Sequence, residues 1–431
     1  MAFAPEKIDI LTVGYYADFS RFFYLIEKST QKTNNNAKFF HINLHLSGQI
    51  YSKIHKQSSF YLPYHSRKIC SDINNDDEKR FFRQFISYHL TLVPGINEDK
   101  LVSQAKKYYH FLESYLESAQ PRLILLSGDS RMPAEIIKYL ANKMAIKIMY
   151  FEQAPLGRTI LDSEGVNANC SFRNLEGFNR QGDDPYPVVF TRREKWKGYK
   201  KYRAVDIIIE KFLPRLQPIE HLRPKRNIVD DSIYKAAQGK SISAQDINGK
   251  KHYLLVLQVP DDVNMIYHSP WFSNHNDIVQ AVHQSLPENA ILIVREHPLY
   301  KRLYEKALYH YIINSDSIIL DQSLSLQQAI SDCHVVVVNN STVGLESIEL
   351  GKPVVVLGNA YYDRSKFCIK YDGKNLKGLL EQAYEVNLDE GQERLGYLSY
   401  LFNKKFIEGH FRDLNGPAPD NISRWIIEHA F

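Results

Sequence analysis

The sequence predicts an α/β protein, GT-B-like, with two Rossmann-type doubly wound domains facing a cleft. Three observations predict it. Apolar runs of strand length alternate with helical patterns in both halves of the chain, which is the rhythm of parallel βαβ units. That rhythm breaks once, over residues 154–250. At 431 residues with 44% hydrophobic content, the chain is too long for one ordinary core. The expected division is an N-terminal acceptor-side domain over 1–215, a linker over 216–250, a second domain over 251–395, and a C-terminal helical segment over 396–431.

The elements follow in order. KIDILTVGYY (7–16) reads as a strand, FSRFFYLIEKST (19–30) as a helix and AKFFHINLHL (37–46) as a second strand. Residues 47–95 are polar and irregular. KLVSQAKKYYHFLESYLESA (100–119) has long helical periodicity. PRLILLSG (121–128) is a buried strand, after which Ser127–Ser130 cap the helix 132–145. IKIMYFEQ (146–153) is the next strand, and APLGRTILDSEGVNANCSF (154–172) a glycine-containing polar loop. A basic, helix-prone stretch leads to the Pro- and charge-rich segment 216–250. Strands then recur at 252–259, 290–298, 317–322, 334–341 and 352–358, with helical patterns between them; 375–386 and 395–430 read as helical.

Composition excludes several classes. The charged fraction of 24% is ordinary for a soluble globular protein. A net charge of +5 does not indicate nucleic acid. The excess concentrates between Arg192 and Arg226, interleaved with Trp196, Tyr199 and Tyr202. Such a run reads first as a solvated face; it also suits peripheral contact with an anionic inner membrane or with an anionic acceptor. Cys70, Cys170, Cys333 and Cys368 form no CxxC pair, which argues against a zinc site or disulfide scaffold and fits a reducing cytoplasm. The start MAFAPEKIDILTVGYY lacks a basic n-region and apolar h-region. No apolar run approaches the ~20 residues of a spanning helix.

The chemistry concentrates at strand ends. In an open parallel sheet the ligand crevice lies outside the carboxyl ends of the strands. LLVLQVPDDVN (254–264), VREHP (294–298) and VVVVNNSTVGLES (335–347) each put polar groups where an apolar run stops. Asn339, Asn340, Ser341 and Thr342 end a buried strand at the start of a helix, where unpaired N–H groups favour phosphate. Capping explains one serine but not four consecutive polar residues. Gly344 permits close backbone approach, and Glu346 falls one turn in, within reach of ribose hydroxyls. Arg295 and His297 are donors, and Pro298 stops the ladder. Asp261 and Asp262 are candidate bases, nucleophiles or metal ligands, against a plain acidic turn. In the first half, Glu152 follows a buried strand; it reads either as a surface glutamate or, if it faces Asp262 across a cleft, as half of a carboxylate pair suited to glycosyl transfer.

Together QVPDDVNMIYHSPW (258–271), REHP (295–298), NNSTVGLESIELGKPV (339–354) and FEQAPLGRTILDSEGVNANCSF (151–172) resemble the bacterial capsule and lipopolysaccharide β-Kdo transferases. These are capsule-polysaccharide synthesis glycosyltransferases that use CMP-Kdo. The resemblance covers roughly residues 120–360 and implies a GT-B-like, metal-independent transferase. Gln258 opens its QVxxD motif, and Asp262, the motif's aspartate, is implied as the nucleophile of a retaining double displacement. His297, Ser341 and Thr342 are implied at the CMP phosphate, with Arg295 and Asn340 beside them, and Glu346 at the ribose. Arg295 stands where lysine is frequent. Glu152 is the implied acid/base, while Arg158, Asp162 and Asn167 fall in the implied acceptor-side segment. The implied partners are a CMP-sugar donor and a polysaccharide or glycolipid acceptor, with no cofactor. The HP and Ser/Thr motifs also resemble inverting sialyltransferases that use CMP-sialic acid.

Overall fold

The computed structural model describes residues 7–70, 72–73, 75–174, 204–213, 217–239, 249–321, 323–386 and 391–431. They form two compact units, one of residues 1–166, 193–224 and 402–431, the other of 167–192 and 225–401.

The first unit opens with β1 (Ile10–Gly14), α1 (Ala17–Thr33), β2 (Phe39–Asn43), α2 (Leu46–Ile54) and β3 (Ser59–Tyr61). Short helices at 62–65 and 76–83 follow, then α3 (Ser87–Leu92), so much of the stretch 47–95, read as irregular, is helical. Next come α4 (Glu98–Ala119), β4 (Leu123–Ser127), α5 (Met132–Lys143), β5 (Lys147–Ala154) and β6 (Arg158–Asp162). Every residue of β1 and β4 is buried, which explains their unbroken apolar runs. Asn97 caps α4 by accepting from Lys100 N–H at 2.9 Å.

The segment 154–172 is not the loop its Pro and Gly imply. Residues 158–162 pair antiparallel with β5, and the reversal is a tight turn with positive φ at Leu156 (56°) and Gly157 (68°). That turn twists with the strands, so Pro155 and Gly157 make a hairpin here rather than a break.

The second unit contains α6 (Asp231–Gly239), β7 (Lys251–Val256), α7 (Val263–Ile266), α8 (His275–Gln284), β8 (Ala290–Arg295), α9 (Lys306–Ile313) and β9 (Ile318–Leu320). It continues with α10 (Leu326–Asp332), β10 (Val335–Val338), α11 (Val343–Glu349), β11 (Val354–Val356), β12 (Ile369–Lys370) and α12 (Leu376–Glu385). Its six strands are ordered β12-β11-β10-β7-β8-β9, all parallel. The order reverses between β7 and β10, so their carboxyl ends form the switch-point crevice where such sheets take ligands.

Two expected boundaries shift. The linker 216–250 is not all connection, because Val229, Tyr234 and Ala237 enter the second unit's core. The final segment divides: the helix Gly391–Tyr400 belongs to the second unit, whereas β13 (Phe406–Ile407) and α13 (Ala418–Ala430) rejoin the first. There β13 pairs antiparallel with β6, giving the sheet order β13-β6-β5-β4-β1-β2-β3. Phe411 joins Phe19, Phe22 and Phe151 in the core, with ring centroids 5.2–6.0 Å apart. Thr30 donates to Ser423 at 3.0 Å, so α13 seats against α1 through a buried polar contact as well as apolar ones.

Candidate functional site

The carboxyl ends of β7, β8 and β10 bring most of the donor-side candidates together. β7 hands over to Leu257, Gln258 and Pro260. The side chain of Gln258 is 8% exposed, yet neither its amide nitrogen nor its oxygen has a partner. Asp261 takes a left-handed φ of 57°, and its carboxylate is held by Arg226 Nε at 3.0 Å. The two adjacent aspartates therefore part. Asp262 becomes the N-cap of α7, accepting from Val263 N–H at 2.7 Å and from the Asn264 amide at 3.2 Å.

β8 alternates in the same way. Glu296 turns into the core, 2% exposed, where Tyr234 and Tyr309 hydroxyls donate to it at 2.8 and 2.5 Å. Arg295 and His297 lie two residues apart and so leave the strand on the opposite face. Arg295 Nη2 donates to the Leu324 carbonyl at 2.7 Å, while its Nη1 is buried with no partner. His297 Nδ1 accepts from Leu299 N–H at 3.3 Å, so the neutral ring carries its proton on Nε2. Burial lowers the His297 pKa, and the Asp262 charge pushes it back up. At neutral pH the ring is thus an uncharged donor beside a carboxylate. Tyr304 joins the two strand ends: its hydroxyl receives His297 N–H at 2.9 Å and donates to the Gln258 carbonyl at 2.9 Å.

The NNST strand end divides between support and site. Asn340 Nδ2 donates to the Asn264 and His268 carbonyls at 2.9 and 3.0 Å, and Asn339 Nδ2 reaches Met265 Sδ at 3.3 Å. Both therefore hold the 262–268 loop against β10, and their Oδ1 atoms alone are left buried and unpartnered. Ser341, one residue before the N-cap Thr342, accepts Val343 N–H on Oγ at 3.3 Å, a local turn bond. Thr342 is exposed, with no side-chain cap bond. Glu346 is half-buried in the first turn of α11. Gly344 serves packing and not ligand approach: a Cβ there would lie 2.2 Å from the Tyr362 hydroxyl, which itself donates to the Ser341 carbonyl.

The remaining candidates lie elsewhere. Glu152 is on β5 in the first unit, where its carboxylate accepts Gln153 N–H at 2.8 Å and its charge acts on Arg131. Arg158 begins β6 after the hairpin turn. Asp162 forms a turn: 5% exposed, it accepts from Glu164 and Gly165 N–H at 2.9 and 3.3 Å. Asn167, with φ 54°, belongs to the second unit. The reason lies just beyond, where Arg173 grips the buried Asp363 carboxylate by two hydrogen bonds of 2.9 and 2.7 Å and also reaches Asn359 at 3.1 Å. Sequence reasoning passed over Arg173, Asp363 and Tyr304, none of which sits in a recognisable spacing, and did not single out His268 within its run 258–271. Of the basic segment 192–226, residues 192–203 and 214–216 lie outside the described residues. Among the described residues, no cluster of three or more His, Cys, Asp or Glu side chains could hold a metal ion, and no helix is long and apolar enough to cross a membrane.

Two mainly parallel, doubly wound units, the second with polar side chains and a carboxylate at the carboxyl ends of its switch-point strands, define a two-unit Rossmann-type α/β protein. Residues 123–411 match the family model described as "Capsule polysaccharide biosynthesis protein", and the chain belongs to that family. It is 30% identical over 165 residues to Protein FixF of Sinorhizobium fredii (strain NBRC 101917 / NGR234), a match covering 36% of this chain and 38% of FixF. Over 288 residues it is 25% identical to the capsule polysaccharide export protein KpsS of Escherichia coli, covering 61% of this chain and 72% of KpsS. Among solved structures it is similar to the Thermosulfurimonas dismutans KpsC beta Kdo 2,7 transferase, with 13% identity, 90% and 99% coverage and a TM-score of 0.37. It is also similar to the Methanocaldococcus jannaschii UDP-GlcNAc 2-epimerase, with 13% identity, 98% and 100% coverage and a TM-score of 0.35.

Proposed function

We propose that the protein is a retaining glycosyltransferase that moves Kdo from CMP-Kdo to a glycan or glycolipid acceptor in capsule or lipopolysaccharide biosynthesis. The observation that carries this reading is the placement of Asp262 and His297 at the carboxyl ends of the switch-point sheet, with the Asp262 charge acting on the His297 ring. One is a carboxylate fixed by two hydrogen bonds; the other is a neutral ring with its Nε2 proton available. Arg295 Nη1 and Gln258 add buried polar atoms with no partner among the described residues. In this mechanism His297, Arg295, Ser341 and Thr342 stabilise the phosphate of departing CMP, and Glu346 takes the ribose hydroxyls. Asp262 attacks the anomeric carbon, and the bond to CMP breaks with its electron pair on the phosphate. The acceptor hydroxyl then displaces the aspartate, with Glu152 receiving its proton. The charge balance at the leaving group is met by protein side chains, so turnover is expected to persist in EDTA. The family membership supports a role in capsule polysaccharide biosynthesis, and the QVPDD run supports Kdo.

The REHP and NNST motifs also favour a second reading, an inverting transferase using CMP-sialic acid. A donor screen separates them. CMP release from CMP-Kdo and not from CMP-sialic acid, with the anomeric configuration retained in the product by NMR, supports the first. Inversion, or a preference for CMP-sialic acid, overturns it.

A further inference from the structure

The first unit has a switch point of its own, which the mechanism above leaves unused. Its parallel strands run β5-β4-β1-β2-β3, so the order reverses between β1 and β4. Tyr15 lies just beyond the carboxyl end of β1, and Arg131 follows the turn after β4 as the residue preceding α5. The Arg131 guanidinium lies 4.9 Å from the Tyr15 ring centre and 5.9 Å from that of Tyr88. It is half-buried, and among the described residues no group accepts a hydrogen bond from it or forms an ion pair with it. Glu152 acts on it only through its charge.

Two neighbouring donors are in the same condition. The Tyr15 hydroxyl is buried, with no partner among the described residues, in a residue 8% exposed. His89, on α3 and 2% exposed, accepts Met132 N–H on Nε2 at 3.3 Å, so its proton is on Nδ1, which has no acceptor. Burial and the Arg131 charge hold this ring neutral, with a pKa of about 3. A buried donor without an acceptor is costly, and such groups call for an explanation. Here two such donors, from two elements, neighbour one cation supplied by a third, at a switch point and immediately before the positive end of a twelve-residue helix.

We propose that Arg131, Tyr15 and His89 form an oxyanion subsite for a phosphate ester. Donors arriving from three separate elements match a tetrahedral set of oxygens better than the planar pair of a carboxylate. Assigning that phosphate to the acceptor rests on the transferase reading; the subsite itself does not.

The test is calorimetric titration of the full chain with glycerol 3-phosphate in phosphate-free buffer at neutral pH. Binding is expected to weaken roughly 3- to 10-fold in Tyr15→Phe and roughly 10- to 100-fold in Arg131→Met. Because no described residue hydrogen-bonds the Tyr15 hydroxyl, Tyr15→Phe is expected to match or exceed the wild type in urea unfolding, which separates its loss of affinity from a folding effect. No uptake by the wild type, or equal uptake by all three proteins, overturns the subsite. Competition by phosphatidylglycerol vesicles, and not by phosphatidylcholine vesicles, assigns the site to a lipid headgroup; Arg131-dependent titration without that competition assigns it to a soluble ester. CMP release from CMP-Kdo is measured on the same wild-type preparation. If release is absent while the titration stands, the transferase reading falls and the subsite remains.

Discussion

Asp262 has a structural and a proposed chemical role at once, and the two separate experimentally. As N-cap it needs an acceptor oxygen, which asparagine also supplies. As a nucleophile it needs a carboxylate. Asp262→Asn is therefore expected to unfold within about 0.5 kcal/mol of wild type while CMP turnover falls roughly ten-thousand-fold. The same variant tests the coupling to His297. The Asp262 charge raises the His297 pKa against the effect of burial, so its removal moves the His297 titration, followed by NMR, to lower pH. An unmoved titration contradicts that electrostatic coupling. At this scale the sequence showed which strand ends are polar but not which side chains the loop consumes. Asn340 and Asp162 look like ligand groups in sequence, yet both satisfy backbone groups of their own loops. Arg173 and Asp363 were invisible because a bidentate pair 190 residues apart leaves no spacing to read.

Between elements, single contacts set the site's shape. The Tyr304 hydroxyl is the bridge between the ends of β7 and β8. Tyr304→Phe leaves a buried N–H and a carbonyl short of a partner, so a loss of about 1–3 kcal/mol by urea unfolding is expected, together with weakened donor affinity. Unchanged stability would show that the bridge is dispensable. Gly344→Ala drives a methyl into the fully enclosed Tyr362 ring, with its hydroxyl and ring carbons 2.2–2.7 Å away. The expected cost is about 1–3 kcal/mol, and a neutral result contradicts the packing role assigned to this glycine. Parallel strands were legible because both faces are buried, as in the VVVV run of β10. β6 was not, because Pro155 and Gly157 are equally the marks of a loop and of a hairpin turn. Nor was α6, whose three buried residues, Val229, Tyr234 and Ala237 counted with its approach, are too few to stand out in a charged segment.

In the whole molecule, the last residues return to complete the first unit's sheet and cover α1, a closure no local pattern announces. The segment 217–224 likewise brings Glu220 into the first unit's interior, 7% exposed, with Tyr108 donating to it at 2.5 Å. Burial is the main cause that raises the Glu220 pKa from 4.5 to about 7. Between these values the folded state holds a proton that the unfolded chain has released. This contribution is full below pH 4.5 and is lost as pH rises to about 7, by on the order of 3 kcal/mol. His89 and His221, with pKa values lowered to about 3, act oppositely, favouring the unfolded chain as pH falls below 6.5. Glu220→Gln keeps an acceptor for Tyr108 and removes the first effect alone. Its stability relative to wild type is expected to rise between pH 5 and 7 in urea unfolding; a pH-independent difference contradicts a protonated Glu220.

The central claim, that Asp262 carries the sugar between donor and acceptor, is tested most directly by intact-mass measurement after incubation with CMP-Kdo and no acceptor. A single Kdo adduct on the wild type, mapping to the peptide that contains Asp262 and absent from Asp262→Ala, is the predicted result. The same adduct on Asp262→Ala, or CMP-Kdo turnover by the wild type with no adduct and an inverted product, would contradict it.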